Sequence, residues 1–250
     1  GLAYERLREV NPDVIQCSIS GFGGTGPDRL YPAYGQQVEA ITGLMAASGY
    51  PGGEPMKTGV SYPDPTSGTA GVAAIAMALI HRERTGEGQW IDLAMTEIIT
   101  AQLAQPLMAY LRRGEEAVKR GNASPWWPVQ GMYRCAGDDC WLAVECHTPE
   151  EVAALAAFSG LPAGELQARL GELTASRDPH ELAEELQAAG VPAAPAEKIS
   201  DLMDDAHLRA RGFWLPVDQG AAGIVIGSGV MGRLTRTPGR VHRPAPLLGE

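Results

Sequence analysis

The sequence is poor in cysteine, in aromatic residues and in positive charge. Its 250 residues include 4 cysteines, 6% aromatic residues, and 20 lysines and arginines against 30 acidic residues, which gives a net charge of −10. A nucleic-acid surface needs clustered positive charge to displace the counterions of the phosphates. The charge balance therefore argues against a nucleic-acid partner.

The few cysteines predict neither a disulfide framework nor a zinc site. Cys135, Cys140 and Cys146 are separated by four and five residues, and no C-x-x-C pair occurs. We expect reduced thiols in a cytoplasmic protein. No uncharged apolar run approaches the roughly 18 residues that span a bilayer, and GLAYERLREV lacks the layout of a signal peptide, so no membrane partner is expected.

The first half of the chain shows the pattern of an α/β protein. A β-branched run leads into a glycine-rich loop, and helical segments alternate with a second strand. This order predicts a mostly parallel sheet surrounded by helices. The expected elements are a helix ending at Asn11-Pro12, a strand over 14–20, a loop over 21–27, a helix over 34–49, a small-residue helix over 67–84 that is buried on all sides, a strand over 89–95 and a helix over 96–113.

The second half predicts a smaller α+β domain. GMYRCAGDDCWLAVEC reads as a hairpin, and Thr148 with Glu151 forms a capping box at the start of one of two amphipathic helices. We predict four parts: residues 1–115 as part of a large α/β domain, 116–124 as a linker, 125–198 as the small α+β domain, and 199–250 as a segment that returns to the large domain.

Asp64 stands between two prolines just before the small-residue helix, in the stretch SYPDPTSG. One interpretation is a helix-terminus residue whose carboxylate caps free amides. The other is a catalytic carboxylate, because Thr66 and Ser67 lie closer to the expected helix start and could cap it. Pro63 and Pro65 would then hold Asp64 in a restricted backbone at the mouth of the helix. Both interpretations remain open on these residues alone.

Other motifs give little support to well-known chemistries. No pair of histidines has the H-E-x-x-H spacing, so no metal site is expected. No G-x-S-x-G elbow occurs, so a classical hydrolase is not supported either. The loop GFGGTGP lacks the last glycine of a dinucleotide fingerprint and is either a plain turn or a ligand-facing loop. Trp126 and Trp127 are expected to pack in a core or interface, with ligand stacking as the alternative.

Six stretches in order resemble the class III coenzyme A transferases, the formyl-CoA transferase and carnitine CoA-transferase (CaiB/BaiF) family. They are NPDVIQCSISGFGGTGP, PAYGQQVEAITGLM, DPTSGTAGVAAIAMALIHRERTGEGQWIDLAM, GMYRCAGDD, AGVPAAPAEKISDLMDDAHLRARG and RPAPLLGE. The resemblance covers essentially the whole chain. It implies a partial Rossmann-like parallel sheet domain, a smaller α+β domain and an interlocked homodimer. It also implies an incomplete chain, with a further segment before GLAYERLREV and a short tail after LLGE.

The resemblance implies that Asp64, followed by Gly68 in a D-x-x-x-G stretch, is the catalytic nucleophile. The implied reaction moves CoA from an acyl-CoA to a free carboxylic acid through aspartyl anhydride and aspartyl-CoA thioester intermediates. CoA and acyl-CoA would be substrates, with no permanently bound cofactor. From position alone, amides at the start of the following helix are expected to keep the carboxylate ionised.

The segment Pro32-Ala33-Tyr34-Gly35 matches family positions that contact CoA, with Tyr34 near the thioester and pantetheine arm. Gly35 departs from the family, which usually has Glu or Asp there. The racemases of the family have a histidine at the position of Tyr34, which favours transfer. In place of a glycine-rich loop in the small domain, this chain has ASPWWPVQG, so Trp126 and Trp127 are expected to shape a different acyl pocket.

Two alternatives to the transferase interpretation stay open. The first is a racemase or lyase variant on the same scaffold. The second is a truncated, non-catalytic part that dimerises. Exposed apolar surface is expected on an isolated chain in either case, because the resemblance implies interlocked partners.

Overall fold

The computed structural model describes residues 2–249 as two compact units that divide between Ser124 and Pro125. The first unit holds a parallel sheet and the second holds antiparallel sheets, each with helices. The expected α/β class is therefore confirmed. The finer expectations, a linker at 116–124 and a return of 199–250 to the large domain, stay predictions. Within the described residues, 125–249 form a single compact unit.

The first unit is built around two parallel strands. Ile15 pairs with Gln89 and Ser20 with Ala94, so the carboxyl ends of the two strands lie side by side. Parallel pairing requires a long crossover, and here three helices supply it. The elements are α1 (Tyr4–Val10), β1 (Ile15–Ser20), α2 (Gly35–Ile41), α3 (Leu44–Ala47), α4 (Pro63–Thr85), β2 (Gln89–Ala94), α5 (Met95–Gln102) and α6 (Ala104–Arg113).

Helix α4 begins at Pro63, four residues earlier than the predicted start, so Asp64 lies inside its first turn. Proline suits the first helical positions because their N–H groups have no partner within the helix. The Thr66 hydroxyl donates back to the Tyr62 carbonyl at 2.7 Å, as a residue within a helix does. The expectation that Asp64 precedes the helix is therefore wrong. The helix ends at Gly86, whose φ of 79° fits a glycine C-cap.

Helix α4 buries one face, against the expectation of burial on all sides. Its buried residues are small and recur along a single stripe: Pro63, Ser67, Gly71 and Ala78. Away from this stripe, Val72 is 70% exposed and Met77 is 65% exposed. Across residues 2–249, no helix has both the length and the sustained apolar character that crossing a membrane requires.

Gly71 allows α4 to approach the sheet closely. A Cβ on Gly71 would lie 2.9 Å from Cδ1 of Ile19, a contact shorter than ordinary van der Waals distance. Ile19 is on β1, so the absence of a side chain at this position sets the spacing between helix and strand. Small residues at helix–sheet contacts work in this way because a backbone can come nearer than a side chain allows.

Two of the expected helices are each divided into two. Gly43 adopts a φ of 85°, which ends α2 and separates it from α3. Leu103 separates α5 from α6, and Pro106 then falls in the first turn of α6, where its missing N–H breaks no helical bond. The buried side chains of Val38, Met95 and Ile99 hold α2 against α5.

The second unit confirms the predicted hairpin and the two predicted helices. The capping box is present, since the Glu151 N–H donates to the Thr148 hydroxyl at 3.2 Å and the Thr148 N–H donates to Oε2 of Glu151 at 3.1 Å. The elements are β3 (Val129–Arg134), β4 (Trp141–Cys146), α7 (Pro149–Ser159), α8 (Leu166–Thr174), α9 (Pro179–Ala188), β5 (Ala193–Pro195), α10 (Ile199–Asp204), α11 (Ala206–Ala210), β6 (Trp214–Asp218) and β7 (Ile224–Ser228).

Helix α8 was not predicted, although its core face follows a regular spacing. Leu166, Leu170 and Thr174 are fully buried at intervals of four residues. With Leu142, Leu155 and other apolar residues of β4, α7 and α9, the two leucines form the core of the second unit. Each leucine buried in this way contributes about 2 kcal/mol. The spacing of four residues indicates a helix, but Gly171 and the short length of α8 weaken that indication.

We expect Gly71→Val and Gly68→Val to have opposite effects on stability. Valine is a better helix former than glycine, and a Cβ at Gly68 meets no atom within 4 Å, so the second variant should gain a few tenths of a kcal/mol. At Gly71 the added side chain must force α4 away from β1, at a cost of about 1–3 kcal/mol. Urea unfolding measures both, and equal free energies of unfolding would contradict this account of the helix–sheet contact.

Candidate functional site

Asp64 presents an exposed carboxylate in the first turn of α4. Its backbone N–H donates to the Ser61 carbonyl at 3.1 Å. Within residues 2–249, no group donates a hydrogen bond to the carboxylate and no cation pairs with it. The side chain is therefore neither a capping acceptor nor half of an ion pair, which leaves its oxygens available for chemistry.

The first turn of α4 offers no unpaired amide to an anion. Pro63 and Pro65 have no N–H, and the N–H groups of Asp64 and Thr66 both donate to carbonyl oxygens just upstream. The expectation that these amides hold the carboxylate ionised is therefore wrong.

Gly35, the first residue of α2, lies directly beside the Asp64 carboxylate. A Cβ on Gly35 would come within 2.8 Å of Oδ2 of Asp64 and within 2.8 Å of the Cβ of Ser61. A side chain at this position would have to displace both groups. The departure from the family pattern at position 35 thus has a structural meaning: the missing side chain lets the start of α2 contact the carboxylate.

The remaining predicted CoA contacts lie along the approach to α2. Tyr34 directly precedes the helix, and its side chain is 75% exposed. Pro32 is also exposed, whereas Ala33 packs against the cluster that joins α2 to α5. The structure therefore brings Gly35 against Asp64 and places Tyr34 next to Gly35 in the chain. Binding of CoA by these four residues stays a prediction.

Glu39 is a further residue of this region that the sequence did not single out. It lies one turn after Gly35 on α2 and is fully buried. Its Oε2 accepts a hydrogen bond from the Thr58 N–H at 2.9 Å, and its Oε1 accepts from the Thr58 hydroxyl at 2.6 Å and from the Tyr62 N–H at 3.3 Å. Glu39 thus joins α2 to the segment that leads into α4.

The surroundings of Glu39 favour its charged form. Burial by itself would raise the pKa of the Glu39 carboxyl. The hydrogen bonds from Thr58 and Tyr62, with the nearby charge of Lys57, outweigh burial and lower the pKa below its ordinary value of 4.5. Glu39 is therefore a buried carboxylate at neutral pH, with backbone and hydroxyl donors in place of a salt-bridge partner.

The glycine-rich loop after β1 is attached to both strands of the sheet. The Gly23 N–H donates to the Ser20 hydroxyl at 3.0 Å, and the Gly24 N–H donates to both carboxylate oxygens of Asp92 at 2.9 Å. Gly23 and Gly26 have φ values of 83° and 86°, which favour glycine. The loop is an ordered turn at the carboxyl ends of the strands; contact with a ligand stays a prediction.

Two open clefts on α4 lie near its other end. One, of about 320 Å³, is lined by residues that include Asn11, Ile75 and Arg82, and the other, of about 580 Å³, shares Arg82 and reaches Gly86. Neither contains Asp64, and both are bounded by the C-terminal half of α4. These clefts therefore lie apart from Asp64, whose catalytic role stays a prediction.

Two thiols of the second unit, those of Cys135 and Cys146, are unsuited to nucleophilic chemistry. All four cysteines of the chain are free. Cys146 is fully buried, and burial together with the nearby charge of Glu151 raises the pKa of its thiol to about 11. Burial also raises the pKa of Cys135. Thiolates are the reactive forms, so these residues act as small core side chains.

A group of possible metal ligands occurs on the surface of the second unit. His180, Glu197 and Asp201 bring ligand atoms within 4.8 Å of one another. Asp201, however, already accepts hydrogen bonds from the Lys198 N–H at 2.8 Å and the Ser200 hydroxyl at 3.1 Å. This capping of α10 accounts for Asp201, and surface clusters of this type commonly hold no ion.

The paired tryptophans lie at the start of the second unit. Trp126 is 68% exposed and Trp127 is 40% exposed. The ring of Trp127 packs against the imidazole of His147 with centroids 4.4 Å apart. Neither ring lies in a core, so packing at an interface and a role of the pair in shaping an acyl pocket both stay predictions.

Comparison with known proteins shows one family over the whole chain. The profile of CoA-transferase family III matches residues 1–250. The chain is 32% identical to the succinate–glutarate CoA-transferase of Agrobacterium fabrum and 30% identical to the succinyl-CoA–D-citramalate CoA-transferase of Chloroflexus aurantiacus. Each alignment covers 100% of this chain and 66% of the relative, so the chain spans slightly less than two thirds of their length.

A solved structure shows the same fold. The crystal structure of a CaiB/BaiF family protein from Brucella suis superimposes with a TM-score of 0.84 at 32% sequence identity. The match covers 99% of this chain and 68% of the other. The agreement of sequence profile, relatives and fold over nearly every residue is the basis for assigning the chain to a family.

Proposed function

The chain belongs to CoA-transferase family III, and on this premise we propose that it moves CoA from an acyl-CoA thioester to a free carboxylic acid, with Asp64 as the nucleophile. The observation that carries the proposal is the exposed, unpaired carboxylate of Asp64 at the start of α4, in contact with a residue that has no side chain. A nucleophile needs accessible lone pairs that no cation or donor already occupies.

The first half of the proposed reaction transfers CoA to the protein. An oxygen of Asp64 attacks the thioester carbonyl, a C–O bond forms, and the C–S bond breaks to release the CoA thiolate. The product is a mixed anhydride between Asp64 and the donor acid. The thiolate then attacks the aspartyl carbonyl, which forms an aspartyl-CoA thioester and releases the donor acid as a carboxylate.

The second half transfers CoA to the acceptor. The acceptor carboxylate attacks the aspartyl thioester and expels the thiolate, which leaves a second anhydride on Asp64. The thiolate then attacks the acyl carbonyl of the acceptor, forms the new thioester, and returns Asp64 to its carboxylate. Each step exchanges one acyl bond for another of similar energy, so no metal or redox partner enters the scheme.

The names of the relatives support a class of substrate. One is named for succinate and glutarate and the other for succinyl-CoA and D-citramalate, all of which are dicarboxylic acids or their thioesters. We propose dicarboxylates as donor and acceptor for this chain too. Residues that the relatives carry outside the matched region are proposed to complete the binding cleft over Asp64. A racemase mechanism is less well supported because Tyr34 replaces the histidine base of that branch.

A trapping experiment tests the role of Asp64. We expect succinyl-CoA plus hydroxylamine to convert Asp64 into a hydroxamate, because hydroxylamine attacks the anhydride and thioester intermediates. Peptide mass spectrometry identifies the modified residue. Asp64→Asn should abolish the label and lower the rate of CoA exchange by at least about a thousandfold, as loss of a covalent nucleophile does.

The matched control is Glu83→Gln, which removes an exposed carboxylate from the other end of the same helix. This variant should be labelled and should turn over as the unmodified protein does. A label on a residue other than position 64, or exchange of the α-proton of the acyl-CoA without acid exchange, would reject the transferase mechanism proposed here.

We also propose that the protein acts as a cytoplasmic homodimer. The four free thiols are typical of a reducing compartment, which fractionation of the source cells would test. The exposed apolar side chains of α4, which include Val72, Met77 and Ile80, offer a surface that a second copy of the chain would cover. Light scattering should give twice the mass of one chain. A stable monomer at micromolar concentration would contradict the dimer.

A further inference from the structure

We propose that Glu39 is a positioning residue for Asp64: its buried carboxylate fixes the segment 58–62 and thereby sets where the nucleophile stands. The proposal rests on the function proposed above and adds to it a residue that never touches substrate. Its basis is the set of hydrogen bonds that connects α2 to the start of α4.

The donors that converge on Glu39 all come from the segment before α4. Thr58 contributes its N–H and its hydroxyl, and Tyr62 contributes its N–H. Residues 51–60 form no helix or strand, so these bonds replace the ladder that regular structure would provide. The Thr58 hydroxyl and the Tyr62 N–H are shared with the Val60 carbonyl, at 2.6 and 2.8 Å, while the Thr58 N–H donates to Glu39 alone. Glu39 still makes a local anchor, because hydrogen bonds to a charged group exceed those between neutral groups.

The anchored segment connects directly to the nucleophile. Tyr62 is the residue before the first turn of α4, and its carbonyl accepts from both the N–H and the hydroxyl of Thr66. The Ser61 carbonyl accepts from the Asp64 N–H. The Tyr62 ring extends the anchor, since its hydroxyl donates to Oε1 of Gln102 on α5 at 2.5 Å. A shift of residues 61 and 62 would therefore carry Asp64 with it.

Helix α2 acts on Asp64 from two places one turn apart. Gly35 touches the carboxylate itself, and Glu39 holds the backbone that leads to it. Val38, between them, is fully buried and packs with Met95 and Ile99 of α5. The nucleophile is thus set in place relative to α5 through a single short helix. Such support matters because a displacement of about 1 Å in a reacting group can cost a hundredfold in rate.

The test compares Glu39→Gln with the unmodified protein in single-turnover labelling of Asp64 by succinyl-CoA and hydroxylamine. Glutamine keeps the shape of the side chain but replaces one carboxylate oxygen with an NH₂ group. Because this group is a donor, it cannot accept a hydrogen bond from the N–H of Thr58 or of Tyr62. We expect labelling to slow by about tenfold or more. The KM for succinyl-CoA should change less than about threefold, because Glu39 is buried and makes no substrate contact.

Further variants separate positioning from stability. Ala78→Gly lowers the stability of α4 at a buried site away from Glu39 and should leave labelling per folded molecule unchanged. Thr58→Val removes one donor and should slow labelling, while Thr58→Ser keeps the hydroxyl and should restore it. In the double variant Glu39→Gln/Thr58→Val, the slowing should be smaller than the product of the two single effects, because they remove the same link.

Amide hydrogen exchange gives a readout that does not depend on activity. Glu39→Gln should speed exchange by about tenfold at Tyr62 and also at Asp64, whose own bond runs to Ser61. Wild-type labelling and exchange rates in a folded Glu39→Gln protein, or a loss of labelling no greater than in Ala78→Gly, would overturn the proposal. If the unmodified protein is never labelled at Asp64, the proposed function fails, and the exchange rate at Asp64 still decides whether Glu39 positions it.

Discussion

The contact between the start of α2 and the start of α4 is the constraint on which the rest of the site depends. Asp64 gains its place because Gly35 has no side chain and lets α2 come against the carboxylate. The close packing of Gly71 on β1 fixes α4 two turns further along the helix. A helix held so near its neighbours presents its first turn at a defined point, which a longer side chain at either glycine would disturb.

A carboxylate suited to covalent catalysis must be ionised, accessible and held in a fixed position. The contacts that fix its position conflict with its accessibility. Burial and hydrogen bonds would steady Asp64 but would also occupy its oxygens. The structure divides the tasks between two acids. Glu39 is buried, receives three hydrogen bonds and holds the backbone, whereas Asp64 is exposed and keeps its oxygens unoccupied. This division explains how a residue without partners can still have a fixed position.

Much of the fold could be predicted because local signals agreed with tertiary structure. The β-branched run before Gly21, the capping box at Thr148 and the turn at 136–139 all form as the sequence indicates. Asp64 could be selected because prolines on both sides are unusual for a simple cap. One error was local: α4 begins at Pro63 because two prolines fit a first turn, and the spacing of apolar residues alone does not show this. The other errors occurred where distant contacts decide.

The site could be predicted only in part, because its supporting contacts join residues far apart in sequence. Glu39 and Thr58 are 19 residues apart, and no spacing rule connects a helix residue to an irregular segment at that distance. The composition of α4 predicted burial on all sides, but small residues are needed only on the face that meets the sheet, and Val72 and Met77 are exposed. The sequence pattern identifies such a helix as apolar. Which elements cover each of its faces is decided by the way the whole protein packs together.

The most direct test of the central claim follows the oxygen atoms of the acceptor. A dicarboxylate labelled with ¹⁸O in its carboxyl groups is incubated with succinyl-CoA and the protein, and the peptide that contains Asp64 is then weighed. If the acceptor attacks an aspartyl thioester, its oxygen bridges the second anhydride and stays on Asp64 when the thiolate departs with the acyl group. The account predicts ¹⁸O in the side chain of Asp64 after turnover. Turnover that leaves this carboxylate unlabelled would contradict it.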